Sequence, residues 1–96
     1  MELKLNIYND CTSEKPSKTY VIRRILLKTA KELDVINQEA KENKTNDWDN
    51  VLKMLKCIIP DFQDEDIDGV DPTEFGVFMK QVGAEIHSIM ANAEKN

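Results

Sequence analysis

The densest run of possible metal ligands in the chain is Asp64-Glu65-Asp66-Ile67-Asp68-Gly69. Acids at the first, third and fifth positions with glycine at the sixth match the first half of an EF-hand loop, whose oxygens wrap calcium around a sharp turn. The second half departs from that pattern. Asp71 stands at the eighth position, Pro72 at the ninth, and Phe75 at the twelfth, where a bidentate glutamate should close the coordination shell. Glu74 comes one residue early and belongs to a helix start. No metal site is expected here.

The remaining reactive side chains are too few and too scattered to act together. His87 is the single histidine, and with Cys11 and Cys57 far away in sequence it has no partners at zinc-ligand spacing. A nucleophilic thiol needs an electropositive surrounding and a base, whereas Cys57 lies in an apolar helical pattern that raises a thiol pKa and leaves it inert. Gly69, Gly76 and Gly83 are too dispersed to cradle a phosphate. The reading is a non-enzymatic chain without a cofactor, which works by binding other proteins.

The elements that would position a binding surface follow from periodicity. Leu3, Leu5 and Ile7 alternate with polar residues, the period of a half-buried strand. A turn at Asn9-Asp10-Cys11-Thr12-Ser13 would return the chain as a second strand ending at Tyr20. Pro16 cannot donate to a ladder, so that strand is an edge or starts late. The hairpin is thus expected over residues 1–20. From Val21 the pattern turns helical: Ile22, Ile25, Leu26, Ala30, Leu33, Ile36 and Ala40 recur at spacings of three and four, predicting a helix over 21–42. A polar linker follows, with Asn46 or Asp47 able to cap a helix over 47–59 that buries Trp48, Val51, Leu52, Leu55, Ile58 and Ile59 and stops at Pro60. Residues 61–71 read as an acidic turn with Phe62 and Ile67 pointing inward.

Asp71-Pro72-Thr73-Glu74 is a helix start, with Asp71 as cap, Pro72 at the first position and Glu74 placed for a capping box. The closing helix over 72–93 carries Phe75, Phe78, Met79, Val82, Ile86, Ile89, Met90 and Ala93 along one stripe. That stripe is longer than a thin core covers, and methionine repacks easily against different partners. Phe75, Phe78, Met79, Val82, Ile86 and Met90 are therefore the expected partner-binding residues. Gly76 and Gly83, seven apart, share a face that would admit another backbone. The fold class expected is mainly α (α+β): a single domain over residues 1–96, with an N-terminal β-hairpin followed by a small bundle of three helices.

Charge excludes some partners. Thirteen basic against eighteen acidic residues give a net charge of −5. Residues 1–31 carry seven Lys or Arg against three acids, while no basic residue lies between Lys56 and Lys80. Nucleic-acid affinity comes from clustered basic residues, so nucleic acid is not an expected partner. No apolar run approaches the roughly 20 residues that span a bilayer. Met1-Glu2-Leu3-Lys4 does not begin a signal peptide, which predicts a reducing cytosolic setting with free thiols.

In order and character these features resemble the small tail assembly chaperones of long-tailed bacteriophages. The resemblance rests on Leu3-Lys4-Leu5-Asn6-Ile7 to Lys18-Thr19-Tyr20 as a short hairpin, Arg23-Arg24-Ile25-Leu26 opening a basic helix, and Asp66-Ile67-Asp68-Gly69-Val70-Asp71-Pro72-Thr73-Glu74-Phe75 as the acidic turn and closing helix. It spans nearly the whole chain, and its motifs are structural rather than catalytic. It implies a binding role in the host cell cytoplasm. The client would be the tape measure protein, a very long helical chain kept soluble while tail tube subunits polymerise around it. The tail tube protein, a second copy of the chain, and a frameshift-extended form of it are further implied partners. Glu94-Lys95-Asn96 is compatible with an adenine-rich slippery codon run, which motivates the expectation of such a longer form. The alternative readings are an EF-hand-like calcium binder built on residues 64–75 and an acidic inhibitor mimicking nucleic acid.

Overall fold

The computed structural model describes residues 2–43 and 47–95. Strand β1 (Leu3–Ile7) and strand β2 (Lys18–Ile22) pair antiparallel, in a register that sets Leu3 opposite Ile22, Leu5 opposite Tyr20 and Ile7 opposite Lys18. The alternation in β1 does what its period requires: Leu3, Leu5 and Ile7 are buried. The connection is organised by Asp10, whose carboxylate accepts hydrogen bonds from the Thr12 backbone N–H (2.8 Å) and the Thr12 hydroxyl (2.6 Å). Local bonding of this kind is why aspartate favours turns. Pro16 lies in that connection, and pairing resumes only at Lys18, past the residue that cannot donate.

Helices α1 (Leu27–Asn43) and α2 (Asp47–Ile58) pack against each other as a helical hairpin. A 3-10 helix over Asp64–Gly69 leads into α3 (Pro72–Lys95), which lies chiefly against β1. The architecture is α+β, a hairpin followed by three helices. The hydrophobic core joins Leu3, Leu5, Ile7 and Ile22 from the hairpin to Leu33, Leu55, Ile58, Ile59, Phe62, Phe78 and Val82. A two-stranded sheet is marginal alone in water, and here its apolar face is closed by helices.

Several boundaries and exposures differ from the periodic reading. The helix expected from Val21 begins six residues later, because Val21 and Ile22 complete β2 opposite Lys4 and Leu3. Leu26 and Trp48, expected inside, are exposed, Trp48 by 72%. Leu26 stands just before α1 and Trp48 in the first turn of α2. The closing helix runs two residues further than expected, to Lys95. The polar linker with Asn46, the cap side chain of Asp47 and the Ala93 side chain lie outside what is described.

Asp71 caps α3 as its type and position demand: its carboxylate accepts from Thr73 N–H at 2.8 Å and from Glu74 N–H at 3.4 Å. Glu74, however, turns away from the capping box. Its two oxygens accept from Asn6 Nδ2 (3.1 Å) and from the Tyr8 hydroxyl (2.6 Å), fastening the first turn of α3 to β1. Next to this clamp, Tyr8 N–H donates to the Gly69 carbonyl at 2.8 Å, and Ile7 and Val70 form an isolated antiparallel bridge.

Candidate protein-binding surface

The six residues singled out on α3 separate into three environments. Phe78 (1% exposed) and Val82 (0%) are core and cannot meet a partner in the folded chain. This corrects their assignment as contact residues: the helix needs them to close over β1. Phe75, Met79 and Ile86 are half-buried at the edge of the core, and Met90 is 53% exposed. From Gly83 onward, none of the described α3 side chains is fully buried. The molecule measures 48 × 33 × 21 Å, long enough to accommodate a helix of 24 residues, about 36 Å at 1.5 Å per residue. Gly76 and Gly83 have nothing within 4 Å of where a Cβ would stand, so neither is required by packing inside this chain.

A second surface lies on the opposite helices. Between α1 and α2 runs an open groove of about 580 Å³, with Val35, Ile36 and Cys57 as its apolar floor and Lys31, Lys53 and Lys56 at its margins. Val35 is 52% exposed. Cys57 donates its thiol proton to a Glu32 carboxylate oxygen at 3.1 Å and toward the Thr29 carbonyl at 3.7 Å. Burial first, and the Glu32 carboxylate second, push this thiol up to about 12. A thiol held that high stays protonated at neutral pH. Periodicity does not mark this groove, because apolar spacing traces the buried stripe of each helix rather than the space between two helices. The available signal was Val35, two positions from Leu33, which a helix cannot bury on the same face.

The acidic segment does not gather into a cation shell. Asp64 pairs with Lys56, whereas Asp66 accepts from Lys18 Nζ at 2.9 Å and from the Tyr20 hydroxyl. The Tyr20 hydrogen bond first, then Lys18, hold the Asp66 carboxyl below the usual carboxylate range. These bonds tie the 3-10 helix to α2 and β2, and Tyr20 also stacks at a tilt on Phe62, with ring centroids 5.2 Å apart. No group of three or more His, Cys, Asp or Glu suited to a metal occurs among the described residues. Gly69, which filled the sixth place of the loop pattern, has a different reason to be glycine. A Cβ there would stand 2.5 Å from the Tyr8 carbonyl oxygen and 2.7 Å from Ile7 Cγ2.

A cleft of about 440 Å³ separates the hairpin turn from residues 68–72, with Asp10, Glu14, Asp68 and Asp71 on its walls. Asp10 and Asp71 are already occupied as turn and helix caps. His87 is exposed on α3. No helix among the described residues is long and apolar enough to cross a membrane. Comparison with protein-family models, curated proteins and solved structures finds no match. The surfaces therefore have to be interpreted from their own chemistry. What they offer is apolar area on the outside of helices: Leu27 and Val35 on α1, Trp48 on α2, Val77 and Met90 on α3.

Proposed function

We propose that the chain is a tail assembly chaperone of a long-tailed bacteriophage, acting in the host cytoplasm on the tape measure protein. The observation that carries this reading is large apolar side chains left exposed on all three helices of a small acidic body. A long helical client with apolar faces aggregates unless those faces are covered, and shallow helical surfaces cover them without enclosing the client. The net charge of −5 keeps the loaded complex soluble. The hairpin, the acidic turn and the capped closing helix occur in the order on which the family resemblance rests, whereas Arg23-Arg24-Ile25-Leu26 precede α1 rather than opening it. Tail tube protein, a second copy and an extended form of the chain are secondary partners under the same proposal.

The test is co-expression with the tape measure protein of the same phage genome. The expected result is a several-fold rise in soluble tape measure protein and co-purification of the two chains. An unchanged soluble fraction, with the chaperone folded and abundant, overturns the proposal.

A further inference from the structure

The groove between α1 and α2 combines two properties that point to one kind of occupant. Its floor is apolar, built from Val35, Ile36 and Cys57, and its margins carry Lys31, Lys53 and Lys56 against one acid, Glu32, whose carboxylate accepts from the Cys57 thiol. Lys56 is engaged by Asp64, but Lys31 and Lys53 make no ion pair among the described residues. They stand on facing helices, on either side of the floor. A chain of net charge −5 thus presents a locally basic, greasy trough. On α1, Leu27, Lys31 and Val35 follow at successive spacings of four on one helix face, with both Leu27 and Val35 half exposed. The lysine stem between them adds methylene surface while its ammonium stays in water.

The walls of the groove are helices, so their backbone N–H and C=O groups are spent internally. A strand laid there would leave its own backbone unpaired, at a cost comparable to lost hydrogen bonds. An occupant must satisfy its backbone itself, and the surface between two antiparallel helices is what the ridge of a third helix fills. Charge then selects among helices. Carboxylates bracketing an apolar ridge would meet Lys31 and Lys53, whereas a basic helix would be repelled. We infer that the α1/α2 groove is the docking site for an acidic amphipathic helix of a partner protein. This rests on the protein-binding reading above and specifies which surface and which client chemistry it uses.

The probe is a synthetic 18-residue helical peptide with leucine and phenylalanine at i, i+4 and i+7 and glutamates flanking that ridge. Its control has the same ridge with every glutamate replaced by lysine. Binding to the full chain is read by fluorescence anisotropy at low salt and by backbone amide NMR shifts. The acidic peptide should bind at least about 10-fold more tightly than the basic one, weaken with added salt, and shift the amides of Lys31, Val35, Lys53 and Cys57. Val35→Gln should lose binding with unchanged circular dichroism, and the double variant K31E/K53E should reverse the preference and favour the basic peptide. Equal affinities for the two peptides overturn the assignment, as do shifts centred on Met79, Ile86 and Met90. Concentration-dependent self-association abolished by Val35→Gln also overturns it, since a second copy would then fill the groove. Co-expression of the tape measure protein with K31E/K53E separates the two levels. Client solubility retained by that variant removes the groove and leaves the chaperone reading standing, whereas failure of the unmodified chain removes the reading itself.

Discussion

Replacing Gly69 by alanine adds one methyl group at the tightest place in the fold. The new Cβ would stand 2.5 Å from the Tyr8 carbonyl oxygen and 2.7 Å from Ile7 Cγ2, against 3.4–4 Å for ordinary contact. Two of the three nearest atoms are backbone, so relief requires moving β1 away from residues 69–70 rather than rotating a side chain. That movement lengthens the Tyr8 N–H to Gly69 carbonyl bond and loosens the Ile7–Val70 bridge. Overpacking of this kind costs about 1–3 kcal/mol, and a weakened hydrogen bond about 0.5–1.5 kcal/mol more. We expect a loss of about 2–4 kcal/mol, a large part of the roughly 5–15 kcal/mol available to such a domain. At about 4–8 °C per kcal/mol the melting midpoint should fall by about 10–25 °C. Gly76→Ala and Gly83→Ala are the controls, because the space at both is open and a helix prefers alanine by about 0.5–1 kcal/mol. Urea unfolding followed by Trp48 fluorescence and circular dichroism measures all three variants. A Gly69→Ala protein within about 0.5 kcal/mol of the parent would refute the close approach of β1 to residues 69–70.

On α3, Phe78→Ala should cost about 3–5 kcal/mol in urea unfolding, while Met90→Asp, at a 53% exposed position, should stay within about 0.5 kcal/mol; equal losses would contradict the division between core and exposed end. Titration with a thiol-reactive chromophore at pH 8 should reveal one fast cysteine, the exposed Cys11, and one slow cysteine, Cys57, whose pKa near 12 leaves almost no thiolate; a single rate for both would rule this out. Because folding depresses the Asp66 pKa, its contribution is complete above the unfolded value of 3.8 and disappears as pH falls through the lower folded value. Acid unfolding of Asp66→Asn should therefore be less pH-dependent than that of the parent in that window, and superimposable acid profiles would discount the Tyr20–Asp66–Lys18 bonds. Millimolar calcium should leave the melting temperature unchanged, since Asp64 and Asp66 are turned to Lys56 and to Tyr20 and Lys18; a rise of several degrees would mean that a native-state site exists after all.

Local chemistry made much of this fold legible. The alternation of Leu3, Leu5 and Ile7 specifies a strand with one buried face, and Asp71-Pro72 specifies where α3 begins. What resisted reading was the junction after Tyr20. Ile22, Ile25 and Ala30 fit a helical spacing, yet Ile22 is fixed by its cross-strand partner Leu3, which lies nineteen residues earlier. A short apolar run carries too little periodicity to choose between a strand end and a helix start. The candidate surface was harder for a related reason. Apolar spacing marks a helix face without saying how far the neighbouring elements reach along it, so Phe78 and Met90 look alike in sequence and differ fully in burial. The α1/α2 groove needed two helices to be placed side by side before Val35 and Lys53 could be seen together. Gly69 is the extreme case, because its requirement comes from a strand about sixty residues away.

The seal between β1 and residues 69–82 also dictates an order of events during synthesis. Leu3, Leu5 and Ile7 leave the ribosome well before the side chains that cover them, Phe78 and Val82 among them, which follow about seventy residues later. At about 5–20 residues per second the wait lasts about 4–15 s. The helical hairpin of α1 and α2 closes over a short separation and forms within that interval, whereas the sheet it partly shields stays open on the side that α3 will occupy. For those seconds the nascent chain displays an uncovered apolar strand to its surroundings. A chain proposed to shield apolar surface thus begins its own life in need of the same protection.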